Sequence, residues 1–297
     1  MESAGWESDY QDYPINVVQT ENRGRIVVST RPIKAGEIVL LAQPYTYAVC
    51  EDHVHQICSH CLNPLPKECR MCSCGLWYCD SCLAAEHYPI ECTALQKLPS
   101  HKYTTDQYSE IRMIIKIIAR KLNETDPKMP YNLVLRLATN ESAFDRATRD
   151  LIADMAETIA SLFNGRISPD EIAGLLYRER SNAFGIWNKE ACIASAIYPK
   201  ASFFNHSCAP NCSRYSERPE LTIRALVDIP KGMELTISYI DTKMSREARR
   251  LELSSYYHFI CECERCRHDT GFAHSCPNCP GILVPVNRRK ICYACDN

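Results

Sequence analysis

The chain has 297 residues, 45% apolar and 24% charged, and its 34 basic and 36 acidic side chains give a formal net charge of -2. That length suits one large domain or two ordinary ones with a real core. Near-neutrality argues against binding nucleic acid by bulk electrostatics, a reading that would require a basic surface and steep salt dependence.

No apolar run reaches the length of a membrane span, and the opening Met1-Glu2-Ser3-Ala4-Gly5-Trp6-Glu7-Ser8-Asp9 is acidic, unlike a secretion signal. The expected setting is therefore a reducing compartment, cytoplasmic or nuclear. There the 19 cysteines read as metal ligands, because most sit in C-x-x-C or C-x-C groups within 58–92, 261–266 and 276–295. Zinc suits thiolate and imidazole donors in fours.

In chain order, residues 25–29 and 37–41 read as strands around the turn Arg31-Pro32-Ile33-Lys34-Ala35-Gly36. The same pattern returns where 221–226 and 234–239 flank Asp228-Ile229-Pro230-Lys231-Gly232-Met233. Both read as β-hairpins of one all-β core. Between them, Cys58, Cys61, Cys69, Cys72, Cys74, Cys79, Cys82, His87 and Cys92 offer nine ligands, enough for two zinc ions with one to spare. The choice lies among Cys69, Cys72 and Cys74, two of which should bind. Cys69 and Cys72 have the commoner spacing, whereas Gly75 after Cys74 suits a zinc knuckle.

From about 100 to 180 the pattern is helical. Ile111, Ile114, Ile115, Ile118 and Leu122 form an apolar stripe behind the caps Thr104 and Thr105. A second helix over 146–163 stops at Asn164-Gly165, and a third opens with the capping box Ser168-Pro169-Asp170-Glu171. A last helix over 245–254 carries Arg246, Glu247, Arg249, Arg250 and Glu252, which read as a solvated face. Then come Cys261, Cys263 and Cys266, three thiolates that need a fourth ligand from elsewhere. Cys276, Cys279, Cys292 and Cys295 form a self-sufficient four-cysteine ribbon, its insert Asn287-Arg288-Arg289-Lys290 reading as a solvated turn.

The segment Asn205-His206-Ser207-Cys208-Ala209-Pro210-Asn211-Cys212 follows an aperiodic run and packs side-chain donors and acceptors together. Alone it could be an Asx turn with two incidental cysteines. Together with Glu234-Leu235-Thr236-Ile237-Ser238-Tyr239 it resembles the two signature segments of a SET domain. Cys261-x-Cys263-x-x-Cys266 resembles a post-SET motif, and the 58–92 cluster resembles a MYND zinc finger. In this order the motifs resemble the SET-and-MYND family of protein lysine methyltransferases, from Asn22 to Cys266.

The resemblance implies an α+β fold: a SET β-core with an inserted MYND finger and helical insert, a post-SET zinc site and the C-terminal ribbon. It divides the chain into an N-terminal SET part (14–50), finger (51–95), helical insert (96–181), core SET (182–242), post-SET (243–269) and ribbon (270–297). It implies that the Asn205 segment threads under a neighbouring loop as a pseudoknot. Cys208 would complete the post-SET site with Cys261, Cys263 and Cys266. In the finger, Cys58 and Cys61 would pair with Cys79 and Cys82, and two of Cys69, Cys72 and Cys74 with His87 and Cys92. That makes two zinc ions in the finger, one post-SET and one in the ribbon.

The implied activity is methyl transfer from S-adenosylmethionine to an accessible lysine of a histone or non-histone protein. Tyr239 would stand at the transfer point. Tyr257 and Phe259 would wall the lysine channel and cofactor pocket, with Phe184 nearby. Asn205 and His206 would hold the cofactor through backbone and side-chain bonds, supported by Ser202, Phe204, Asn182 and Asn140, with Arg23 meeting its carboxylate. One departure is the loop Arg23-Gly24-Arg25-Ile26, where the family commonly has Arg-Gly-x-Gly; a β-branched residue cannot take the positive φ of a glycine, so the loop must differ locally. After the post-SET region the ribbon is expected in place of the helical-repeat domain of larger relatives, which would leave the substrate side open or served by a partner. The rival expectation is a catalytically weak scaffold whose finger recruits proline-rich peptides.

Overall fold

The computed structural model describes residues 10–82, 88–124, 126, 127, 129–189, 191–268, 274, 275, 277, 282–286 and 289–292. Apolar alternation near the N-terminus becomes strands β1 (Ile15–Thr20) and β2 (Gly24–Ser29), with Gly24 at φ +64° closing the turn between them. Their antiparallel register sets Val17 opposite Val27, both fully buried. Next come β3 (Ile38–Ala42), β4 (Thr46–Val49), and the short paired strands β5 (Cys69–Met71) and β6 (Trp77–Cys79). Helices α1 (Pro89–Lys97), α2 (Thr105–Leu122), α3 (Asn132–Leu135), α4 (Arg146–Leu162) and α5 (Pro169–Asn182) follow.

The chain then returns to strands: β7 (Phe184–Trp187), β8 (Cys192–Ile197), β9 (Asn205–His206), β10 (Cys212–Glu217), β11 (Glu220–Ala225) and β12 (Glu234–Ile237). Helices α6 (Arg246–Tyr256) and α7 (Glu264–His268) precede β13 (His274–Ser275), β14 (Ile282–Val286) and β15 (Arg289–Cys292).

These elements fall into two units, one of residues 1–41, 200–215 and 222–297, the other of 42–199 and 216–221. In the first unit one sheet has the order β1-β2-β12-β9, where β12 runs antiparallel to β2 and parallel to β9. A second sheet has the order β10-β11-β3, and β13-β14-β15 form a third. The expected hairpins are corrected here: β2 and β3 lie in different sheets, as do β11 and β12. The two intervening turns pair with each other instead. Ile33 bridges Ile229, the Gly36 N–H donates to Ala225 O at 2.8 Å, and the Gly232 N–H donates to Ser29 O at 2.9 Å. Pro32 and Pro230 cannot donate to a ladder, and Gly36 and Gly232 take φ +83° and +81°. Each turn is thus a corner that carries the chain from one sheet to the next.

In the second unit β4, β8 and β7 form an antiparallel sheet. Helix α2 begins with a reciprocal capping box between Thr104 and Gln107. Its Ile111, Ile114, Ile115 and Ile118 are fully buried, whereas Leu122, expected in the stripe, reaches solvent at the last turn. Asp145 caps α4, which ends at Asn164 and Gly165, both at positive φ. The expected box at α5 is only half made. Ser168 Oγ accepts the Glu171 N–H at 3.2 Å, but the Glu171 carboxylate turns to Lys121 Nζ at 2.5 Å and accepts from Tyr131 OH at 2.7 Å. Among the described residues no helix is long and apolar enough to cross a membrane.

Candidate functional site

The site grows from the parallel pairing of β9 with β12, which sets Asn205 beside Thr236 and His206 beside Ile237. Asn211 clamps the same edge: its Nδ2 donates to Glu234 O and its Oδ1 accepts the Thr236 N–H, both at 2.8 Å. His206 is buried, and both ring nitrogens are engaged. Nδ1 accepts the Tyr239 N–H at 3.0 Å, so the ring proton resides on Nε2, which donates to Cys208 Sγ at 3.2 Å. Acceptance of the Tyr239 N–H requires a neutral ring, and burial, which pushes the His206 pKa down to about 4, favours that form.

Tyr239 donates its hydroxyl to Phe204 O at 2.7 Å, and Tyr257 donates to Tyr239 O at 3.3 Å. The two tyrosine rings lie 5.1 Å apart between centroids, and Phe259 faces His206 at 6.0 Å. Burial raises both hydroxyls above the ordinary tyrosine range; at Tyr257 the positive Arg214 opposes that rise. Tyr257 and Phe259 straddle His258, whose φ of +60° turns the chain sharply after α6.

Within this unit a cleft of about 870 Å³ is lined by Asn22, Arg23, Asn205, His206, Glu234, Tyr239 and Phe259, among others. Arg23, expected to meet the cofactor carboxylate, lines the cleft with its guanidinium already ion-paired with Glu234. Asn205 Nδ2 donates at 3.2 Å to Glu234 Oε1 and to Arg25 O. Burial raises the Glu234 carboxyl, with Arg23 and Asn205 opposing. The missing second glycine of the loop strains nothing. Only Gly24 takes a positive φ, while Arg25 and Ile26 are paired in β2 opposite Gln19 and Val18, and the Arg25 guanidinium stacks 4.6 Å over Phe203.

Other expected contacts change character. The His206 side chain is occupied internally, which leaves its backbone for any ligand. The Phe204 ring is fully buried, so its contribution is the carbonyl that anchors Tyr239, and Ser202 is half-buried just before it. Asn140, Asn182 and Phe184 belong to the second unit. There Asn182 Nδ2 donates at 2.8 Å to Ala138 O and Arg178 O, pinning the segment that leads to Asn140, itself at φ +50°. Phe184 packs edge-on against Tyr198, 5.5 Å between centroids.

Three thiolate groups assemble among the described residues: Cys58, Cys61, Cys79 and Cys82; Cys208, Cys261, Cys263 and Cys266; and Cys72, Cys74 and Cys92. Four sulfurs each about 2.3 Å from a tetrahedral zinc would stand roughly 3.8 Å apart. Cys208 and Cys261 are 3.9 Å apart, Cys208 and Cys266 3.5 Å, and Cys61 and Cys79 3.9 Å, so both four-cysteine groups fit zinc. In the third group Cys72 and Cys92 are 3.5 Å apart. The open choice among three cysteines resolves to Cys72 and Cys74, with Gly75 at φ +87° making the knuckle turn. Cys69 is not in the group; it lies on β5 opposite Cys79. The expected fourth ligand, His87, lies outside the described residues, as do Cys276, Cys279 and Cys295 of the ribbon and the side chain of Cys292.

Several participants escaped sequence reading: Asn211, Arg214, Glu234, Arg249 and Arg265. Glu234 stands at the head of the strand segment that ends in Tyr239. Arg249 corrects the reading of α6 as a solvated face, for it is wholly buried. Its signal was positional: it precedes the buried Leu253 by four residues and so shares that helix face.

A SET domain family model matches residues 24–240. A SET and MYND domain-containing protein of Dictyostelium discoideum is 29% identical, the alignment covering 89% of this chain and 84% of that protein. The histone-lysine N-methyltransferase ASHR2 of Arabidopsis thaliana is 28% identical over 85% of this chain and 72% of its own. The histone-lysine N-methyltransferase SMYD3 of Mus musculus is 29% identical over 84% and 60%. Among solved structures, Rubisco LSMT bound to sinefungin and monomethyllysine superposes with a TM-score of 0.51 at 12% identity, over 88% of this chain and 56% of that one, a likeness of fold.

Proposed function

The chain belongs to the SET-domain family, and from that premise we propose that it is a protein-lysine N-methyltransferase, moving a methyl group from S-adenosylmethionine to the amine of an accessible lysine in a histone or other protein. The observation that carries this reading is the seating of Tyr239. Its backbone is held by His206 and its hydroxyl by Phe204 O, at the edge of a cleft large enough for a nucleoside-sized cofactor.

S-adenosylmethionine, when bound, would supply a sulfonium methyl whose carbon a neutral amine can attack in line, the C–S bond breaking to leave a neutral thioether. The residues that would hold it are Arg23, Asn205, the His206 backbone and Phe259. What the chain contributes at the reacting end is position and dryness. Because the Tyr239 proton is committed to Phe204 O, its oxygen can meet an approaching amine only as an acceptor. Burial keeps both tyrosine hydroxyls neutral, and their rings exclude water, which disfavours a charged lysine and favours its nucleophilic form. The positive Arg214 opposes the rise at both hydroxyls, and the same charge disfavours an ammonium brought beside them.

Calorimetric titration of the zinc-replete protein with S-adenosylmethionine, beside an Asn205→Ala variant, tests the reading. Saturable binding, weaker by about tenfold or more in the variant, is expected. Labelled methyl should then appear on lysine when mixed histones are added. Absence of binding in both proteins would sink the enzyme reading in favour of a scaffold that recruits proline-rich peptides through its finger, where Met71 on β5 stands 57% exposed.

A further inference from the structure

Arg249 in α6 and Arg265 in α7 are 0% and 5% exposed, and both lie against the Cys208, Cys261, Cys263 and Cys266 group. Arg249 donates Nη2 to Cys266 Sγ at 3.8 Å and Nη1 to Met244 O at 2.7 Å. Arg265 donates Nη1 to Cys208 O at 3.2 Å and to Thr242 O at 2.7 Å. A guanidinium stays charged at any pH a protein survives, so withdrawing it from water is costly unless negative charge meets it. Four thiolates around one divalent zinc leave a net formal charge of about 2−. Each partner therefore reduces the burial cost of the other.

We propose that Arg249 and Arg265 are positioning residues of this thiolate site: they offset its negative charge and, through N–H···S donation at Cys266, set how tightly it holds its metal. The consequence reaches the cleft through Cys208. Its Sγ accepts from His206 Nε2, and His206 Nδ1 holds the Tyr239 N–H. A thiolate site that grips its metal keeps that chain of contacts in register. The competing account is that the two arginines only tie loops together through the carbonyls of Cys208, Thr242 and Met244.

The inference rests on zinc at this site, and the experiment separates the two. Zinc release from the intact protein to a chromophoric chelator is followed in wild type and in Cys208→Ser, whose missing phase identifies this site. A wild type with no such phase would overturn the zinc reading and the proposal with it. In Arg249→Met that phase should quicken by about tenfold or more, with Arg249→Lys recovering much of the loss and the other phases unchanged. In the cobalt-substituted protein the thiolate-to-metal band should move to lower energy in Arg249→Met, because the sulfur has lost a donor. Unchanged release and an unchanged band, together with a lowered melting temperature, would establish the loop-tie account. Should Arg249→Met not fold, Arg265→Lys decides. It keeps the charge while shortening the reach with which Nη1 donates to the carbonyls of Cys208 and Thr242, so wild-type zinc release supports the proposal and accelerated release overturns it.

Discussion

At the scale of single residues, Tyr239 shows how much depends on partners that motif reading does not reveal. Its place at the end of the strand segment, and its expected role, were legible from the resemblance. That its hydroxyl is spent on Phe204 O, and its amide on a neutral His206, was not, because both contacts span more than thirty residues. Tyr239→Phe removes the acceptor oxygen and leaves the Phe204 carbonyl without its donor, at a cost of about 1–3 kcal/mol. The fold should survive, and kcat should fall about a hundredfold or more, while calorimetric affinity for S-adenosylmethionine moves only severalfold. A variant with unaltered kcat would show that the hydroxyl takes no part in transfer.

At the scale of elements, the helices were readable and the sheets only partly so. Caps and period are local properties, and the starts of α2 and α5 and the stop of α4 follow from them. Sheet partners are not local: the two corner turns find each other across nearly two hundred residues, so each looked like a hairpin. At Arg249 helix position outweighs residue type: sharing a face with Leu253 buries a side chain whose charge suggests solvent. Inside the helical layer, Glu179 of α5 lies beside the ion pair of Arg180 with Glu110 of α2, whose shorter contact is 2.5 Å. Burial, with Glu110 adding to it and Arg180 opposing, pushes the Glu179 carboxyl up to about 8 from an ordinary value near 4.5. Below the lower value both folded and unfolded states hold the proton. Between the two values only the folded state holds it, so this group's stability contribution is lost as pH rises, at up to about 1.4 kcal/mol per unit. Glu179→Gln cannot ionise. Thermal melts of the two proteins from pH 5 to 8 should diverge, the wild type losing ground steadily. Parallel curves would mean that Glu179 is ionised in the folded state.

At the scale of the whole molecule, the first unit is assembled from three separate stretches of chain, which no local pattern announces; only the order of motifs suggested it. The cysteines were legible as metal ligands from their spacing, and the fourth member of the Cys261, Cys263 and Cys266 group came from resemblance alone. Its geometry adds a dependence that sequence could not supply. Cys208 belongs at once to the thiolate group and to the contact chain through His206 to Tyr239. When zinc leaves, four buried thiolates cannot remain charged together; they take up protons, and Cys208 becomes a poorer acceptor for the His206 N–H. Loss of metal should therefore be felt at the Tyr239 amide as well as at the cysteines. Hydrogen exchange before and after exhaustive chelation checks this. The amides of Tyr239, Tyr257 and Phe259 and those around Cys58, Cys61, Cys79 and Cys82 should lose protection, while α2, α4 and α5, whose buried apolar side chains use no metal, should keep theirs. Full protection at Tyr239 in zinc-free protein would mean that packing of Ile240 and Leu253 around the cysteines, and not the thiolate charge, is what seats the tyrosine.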